Sequence, residues 1–256
     1  MDLHDRSPFI PIIPGCLKRL PRAPPRCLPE ERDVKAIQVL REFGSELGCS
    51  ADEIRQACDL ASGFSDIVVV LERPLRDEHH PYNQSFEHFV DSNPTLRHID
   101  ELLQFASAGA RSIKTTTVVN AFPFQKYENN AGMDRRCEPI LAKFLQTKRP
   151  RVVLQCVNTI HVDRLETGGT CTVIPSFHPS HAIKYSPYCL DLRIFMMYHF
   201  AMAFRYLHEP EDPLCRRCAE MIQHKERINR YRLKEAMCLP RLTIASRISK
   251  ILSLSY

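Results

Sequence analysis

The chain has no tryptophan and only eight glycines in 256 residues. So few glycines leave little material for loops that cradle phosphates. No P-loop pattern is present, and no Gly-x-Ser-x-Gly elbow that would seat a nucleophilic serine. An unrelated α/β hydrolase or transferase is therefore the least supported functional class. Long apolar runs are also missing, and none approaches the roughly 20 residues that cross a bilayer, so no membrane is expected among its partners. The apolar stretch Phe9-Ile10-Pro11-Ile12-Ile13-Pro14 is too short and too interrupted by proline for a signal-peptide core. With no secretory signal expected, the eleven cysteines read as free thiols of a reducing, intracellular compartment.

What is present is an ordinary soluble composition, 44% hydrophobic and 25% charged. The length suits one α/β domain with extensions and is enough to bury a full core. Residues 1–30 hold seven of the 19 prolines, interleaved with Lys18, Arg19, Arg22 and Arg26. That composition sustains neither helix nor sheet and is expected to be a disordered Pro/Arg-rich arm. Residues 31–208 are the expected α/β domain, and residues 209–256 a basic helical extension. Between Cys215 and Lys250 ten Lys/Arg face only Glu220, Glu226 and Glu235. That local charge exceeds the whole chain's +5. A basic stretch of this kind can follow nucleic-acid phosphates, or simply be a solvated helix face.

Within the domain, apolar periodicity alternates between two kinds. Val34, Ile37, Val39, Leu40 and Phe43 recur at helical spacing. Ser50-Ala51-Asp52-Glu53 reads as a capping box that opens a second helix carrying Ile54, Cys58 and Ala61 on one face. Ile67 to Leu71 is a continuous β-branched run, as in a strand buried on both faces. Pro94-Thr95 opens a helix through Phe105 with Leu96, Ile99, Leu102 and Leu103 as its stripe. Strands are expected over 115–119, 151–157 and 171–174, a helix over 137–146, and a long apolar helix after Ser186-Pro187 through Tyr206. Strands alternating with helices imply a three-layer α/β/α fold around a central, mostly parallel four-stranded sheet. In such sheets ligands bind at the carboxyl ends of strands. Pro74, Asn120 and His178 each follow such an end and are expected to converge on one cleft.

Three segments carry a further signal. They are Asn93-Pro94-Thr95-Leu96-Arg97-His98-Ile99-Asp100-Glu101-Leu102, Val118-Val119-Asn120-Ala121 and Ser176-Phe177-His178-Pro179-Ser180. Each is weak alone. In this order and spacing, the region from about Asp66 to Phe204 resembles the uracil-DNA glycosylase superfamily. The first segment is similar to its Pro-Pro-Ser-Leu helix, the second to its Leu-Leu-Asn-Ala strand end, and the third to its Ala-His-Pro-Ser turn.

The resemblance implies a monofunctional glycosylase that everts a base from DNA and hydrolyses its N-glycosidic bond. Asn120 matches the reader of the base, since an amide offers a donor and an acceptor side by side. His178 matches the residue that stabilises negative charge on the departing base with a neutral N–H. Phe86 is the candidate for stacking on the base, with Tyr82 and Phe89 competing. Pro74 follows the first strand and lines the base site. Ser176, Ser180 and Tyr185 are the candidates for holding the DNA backbone. Each has a structural alternative: a turn asparagine, a histidine fixed by Pro179, a packing phenylalanine, a capping serine.

The departures are specific. The superfamily's uracil-specific branch has Gly-Gln-Asp-Pro-Tyr-His after its first strand, whereas this chain has Leu71-Glu72-Arg73-Pro74-Leu75. With Pro74 as the anchor, Arg73 takes the place of the acid that orients water and balances the sugar's positive charge; with the strand end as the anchor, Pro74 itself does, and neither alignment supplies an acid. Two like charges about 4 Å apart cost about 4 kcal/mol at an effective dielectric of about 20, roughly a thousandfold in rate. Glu72 is the candidate replacement, or Asp77 if the loop bends inward. Ala182 is too small to wedge into a base stack, leaving Ile183 or Tyr185 for that role. Two readings therefore stand. One is a divergent glycosylase acting on a deaminated or damaged base. The other is an inactive relative that binds nucleic acid or serves as a scaffold. Both expect DNA as partner, a monomer and a nuclear location. No cofactor or metal is expected. The neighbours Asp77, Glu78, His79 and His80 cannot all face one ion. Cys215 and Cys218, with Cys238 and His224 as the available partners, are expected to be ordinary thiols.

Overall fold

A computed structural model of the chain describes residues 30–74, 85–107, 110–124, 131–162, 165, 167, 169–180 and 190–208. The expected arm, basic extension and helix cap at Ser186-Pro187 lie outside the described residues, Glu30 excepted. Six helices and four strands follow in the order α1 (Glu31–Glu46), α2 (Ala51–Leu60), β1 (Phe64–Leu71), α3 (Phe86–Ser92), α4 (Pro94–Ala106), β2 (Thr116–Asn120), α5 (Ala131–Lys148), β3 (Val152–Gln155), β4 (Thr172–Pro175) and α6 (Leu190–His208). The strands form one sheet in the order β2-β1-β3-β4. Every neighbouring pair is parallel.

The sheet separates two apolar layers. Ile67, Val69, Leu71, Val118 and Leu154 face α3, α4 and α6, packing with Val90, Ile99, Leu103, Phe200 and Phe204. Val68, Val70, Val119 and Val153 face the opposite way, onto Leu40, Phe43, Cys58, Leu141 and Phe144 of α1, α2 and α5. The result is the three-layer α/β/α arrangement with helices on both faces of a parallel sheet.

Local chemistry explains most boundaries. Ser50 accepts from the Glu53 amide while Glu53 reaches back to the Ser50 amide, so the capping box forms. Asn93 caps α4 by accepting from the Thr95 and Leu96 amides, and Pro94 occupies the first turn, where its missing N–H does no harm. The stripe of α4 is buried as expected. Val34 is not: it is 59% exposed, and Ala36 takes its place in the core.

Several elements differ from the periodicity. Strand β1 begins three residues earlier than its apolar run, because buried Ser65 and Asp66 interrupt the hydrophobic signal yet continue the strand. Helix α5 is longer than expected and carries Pro139 internally. Helix α3 was not expected; Ser85 caps it by accepting from the His88 amide.

Polar groups tie the amino edge of the sheet together. The Lys148 ammonium, fully buried at the end of α5, donates to Asp33 Oδ1 at 2.9 Å and to the Gly63 carbonyl at 2.6 Å. Ser65 also donates to Asp33. One ion pair thus joins α1, α5 and the entry to β1. Gly63 has no room for a side chain: an added Cβ would lie 2.2 Å from the Thr116 carbonyl carbon. On the α4 side, Arg111 pairs with buried Asp66 and lies over the Phe64 ring. Burial pushes the Asp33 carboxyl up, but the Ser65 and Lys148 hydrogen bonds and the lysine charge outweigh it. Its pKa falls below the ordinary 3.8. Burial pulls the Lys148 ammonium down, against the pull of Asp33.

Breaking one side of such a pair strands a charge in the interior, at about 3–5 kcal/mol. Lys148→Met is expected to cost about 3 kcal/mol in denaturant unfolding. Adding Asp33→Asn should recover part of that loss, and strict additivity would contradict the coupling. Because the folded pKa of Asp33 is depressed, its stabilisation is present at neutral pH and is lost as pH falls through that lowered value. Asp33→Asn should therefore flatten the acid limb of the stability profile.

Candidate functional site

All four strands end at one edge, and their register is continuous across it. Leu71 is level with Asn120. The Ala121 amide bonds the Leu71 carbonyl at 2.7 Å, the Cys156 amide bonds Val70, and the Ser176 amide bonds Gln155. Asn120, Leu71, Cys156 and Ser176 therefore form one row. Three strand spacings of about 4.8 Å put Asn120 and the turn after β4 about 14 Å apart at the backbone.

Asn120 closes β2 and is 6% exposed. Alternation from Val118 places it on the α4/α6 side of the sheet. Its Oδ1 is buried and accepts no hydrogen bond among the described residues. An unsatisfied buried acceptor costs about 1–3 kcal/mol; Arg111 Nε and Thr116 Oγ1 are likewise buried without a partner among the described residues.

After β4 the chain enters the Ser176–Ser180 turn. Phe177 and Pro179 are buried and fix it, with Phe177 stacked on His199 of α6 at 6.3 Å between centroids. His178 and Ser180 stay half-buried. The Ser180 amide donates to His178 Nδ1 at 3.3 Å, and Ser180 Oγ lies 2.7 Å from the same nitrogen. A nitrogen that accepts from a backbone N–H carries no hydrogen of its own. The neutral ring thus holds its proton on Nε2.

Ser176 departs from its expected role. It is fully buried, its Oγ bonds His199 Nδ1 at 3.0 Å, and its amide bonds Gln155. Neither group faces a phosphate. Ser180 is committed to His178. Phe86 opens α3 and packs, partly buried, against the core of the α4/α6 layer, so it is a packing ring. Tyr185, with Leu75, Asp77, Ala182, Ile183 and the Cys215/Cys218 pair, lies outside the described residues.

At the end of β1, Glu72, Arg73 and Pro74 are half-buried. The Glu72 carbonyl accepts from the Phe122 amide at 3.0 Å, so β1 and β2 stay paired beyond their formal ends. The Arg73 guanidinium lies over the Phe122 ring, 3.9 Å from its centroid. Glu72, Arg73, Pro74, Asn120, His178 and Ser180 thus lie along the same edge of the sheet.

Two residues that sequence reasoning passed over also shape it. Phe122 anchors Arg73. Gln155 donates to the Val157 carbonyl and accepts from the Val162 amide, pinning the loop that presents exposed Asn158 and Thr159. A polar residue closing an apolar strand was the available signal for Gln155; Phe122 reads as ordinary core. Among the described residues no cluster of His, Cys, Asp and Glu could hold a metal ion, and no helix is long and apolar enough to cross a membrane. Burial pushes the Cys171 thiol up to about 11, which makes it a poor nucleophile at neutral pH.

No protein-family model, curated protein or solved structure matches this chain.

A group kept for a ligand rather than for the fold leaves a signature in stability. Asn120→Leu, which removes the orphaned acceptor at similar volume, should stabilise the protein by about 1 kcal/mol in denaturant unfolding. A loss of 1 kcal/mol or more would mark Asn120 as a structural residue.

Proposed function

We propose that the carboxyl edge of the sheet is a nucleobase site and that the protein binds DNA with one base everted into that site. The observation that carries this reading is the orphaned Oδ1 of buried Asn120, at the same edge as a histidine whose proton sits on Nε2. An N–H on the Watson–Crick edge of a base would satisfy the amide oxygen. The His178 Nε2–H would donate to a carbonyl oxygen that gains negative charge as the N-glycosidic bond breaks. Water then adds to the sugar carbon, and the base leaves with its proton restored from solvent. The resemblance of the three segments to the uracil-DNA glycosylase superfamily supports the same assignment. DNA as partner, a nuclear setting and the excision step belong to this proposal.

The mechanism rests on stabilising the leaving group. Glu72 is the acidic side chain at the end of β1 that could balance charge on the sugar. Arg73 beside it works the other way, because a guanidinium near a developing oxocarbenium ion raises the barrier. Slow excision follows from that balance. The position of Arg73 over Phe122 also favours the second reading, a protein that captures a base without cutting it.

Oligonucleotides carrying uracil, hypoxanthine or oxidised pyrimidines, single- and double-stranded, distinguish the two. Excision predicts abasic sites with at least one lesion. His178→Ala should lower the rate about a hundredfold or more with little change in KM, the mark of an interaction made in the transition state. Arg73→Asp should raise the rate. Activity indifferent to both His178→Ala and Asn120→Ala would place catalysis elsewhere. Salt-sensitive binding without base release on any lesion would establish the capture-only reading.

A further inference from the structure

The turn that closes helix α1 has Gly48 at φ 65°, a left-handed conformation that glycine adopts without strain. The turn after helix α5 has Arg149 at φ 50°. A side chain at that φ crowds its own backbone, and the following Pro150 narrows the choice further. Glycine would make the same turn more easily. The cation that a helix favours at its C-terminus is already supplied by buried Lys148. The turn is nevertheless held firmly. The Arg149 amide bonds the Leu145 carbonyl at 2.8 Å, Pro150 is buried, and the Arg151 amide bonds the Asp66 carbonyl at 3.1 Å. An exposed arginine is thus kept where a glycine would serve the fold better.

Arg151 is exposed too, and two residues of chain keep the two backbones within about 7 Å. Alternation from Val153 places Arg151 on the α1/α2/α5 side of the sheet, the side on which α5 ends. Arg32 of α1 meets them there and donates to the Arg149 carbonyl at 3.4 Å. The acids of this corner are engaged: Glu30 with Arg32, Glu31 with Lys35, Asp33 with Lys148 and Asp66 with Arg111. Neither the Arg149 nor the Arg151 guanidinium makes an ion pair or hydrogen bond among the described residues.

We propose that Arg149 and Arg151, with Arg32, form a phosphate-binding surface for a nucleic-acid backbone. Guanidinium forks match phosphate oxygens, and a strand of phosphodiesters offers consecutive anions to arginines two residues apart. A rigid turn complements those regularly spaced charges better than the mobile carboxylates of an acidic peptide. The eight residues of β1 put this corner about 26 Å from the carboxyl edge, too far for a phosphate adjoining an everted base. The surface therefore holds a second segment of nucleic acid, and its assignment does not rest on the base site.

Fluorescence anisotropy of the full chain with a labelled random-sequence single strand and its duplex, both lacking uracil, tests this between about 50 and about 200 mM salt. Arg149→Gly and Arg151→Gln should each weaken binding and lower the slope of log affinity against log salt by about one, or about 0.7 on the single strand. Arg149→Gly should also raise the denaturation midpoint, because the strain is released. Arg41→Gln removes equal charge from α1 about 13 Å along the helix from Arg32, and should leave the slope unchanged. Unchanged slopes in both arginine variants, or an equal loss in Arg41→Gln, overturn the proposal. A lowered midpoint with unchanged binding in Arg149→Gly marks that arginine as structural and also overturns it. So does binding of poly-glutamate that depends on these arginines while nucleic-acid binding does not, which assigns an acidic peptide instead. Asn120→Ala should leave all these curves as they are, so a failure here and a failure of the base site are read separately.

Discussion

Strand β1 has no exposed residue along its length and is hydrogen-bonded on both sides. Everything else follows from that constraint. A strand buried on both faces needs a helical layer above and below, and parallel neighbours require crossover connections that supply those helices. Parallel pairing also brings all the strand ends to one edge. The Lys148–Asp33 pair and the Arg111–Asp66 pair close the opposite edge with buried ion pairs. The amino edge thus holds the layers together, while at the carboxyl edge the buried Oδ1 of Asn120 accepts no hydrogen bond among the described residues.

The groups at that edge fall into two kinds. Some are fully committed to structure. Ser176 bonds His199, Gln155 pins its own loop, and Phe177 and Pro179 anchor the turn. Others are held in place by their neighbours at the same edge. His178 is fixed through Nδ1, so its proton lies on Nε2; Asn120 is fixed as the last paired residue of the outer strand β2, with an unmet acceptor. Arg73 is fixed through the face of its guanidinium.

Much of the fold was legible because its signals are local. The β-branched run at Ile67–Leu71, the Ser50/Glu53 box and the Asn93-Pro94 helix start each specify an element with a few adjacent residues. Strand ends were legible too, so Asn120, His178 and Pro74 could be placed at one edge from sequence. The beginning of β1 was not, because Ser65 and Asp66 look unlike strand core until their partners, Asp33 and Arg111, are brought in from distant elements. Phe86 was assigned to stacking from its position in the chain, but Ser85 turns that stretch into a helix and directs the ring into packing. Ser176 sits in a turn whose pattern suggests exposed hydroxyls, and only the crossing of α6 reveals that His199 occupies it. Arg73 read as a defect in a catalytic pattern; its place on Phe122 depends on strand pairing that no local spacing encodes.

The central claim is that an amide from β2 and an imidazole after β4 meet one ligand. Nuclear magnetic resonance can follow the Asn120 side-chain amide and the His178 ring nitrogens in a single titration with a uracil-containing single-stranded oligonucleotide. The account predicts that both sets of signals move together and report one shared dissociation constant, with Nδ1 of His178 unprotonated throughout. Signals that respond at different concentrations, or a response from one residue and not the other, would contradict it.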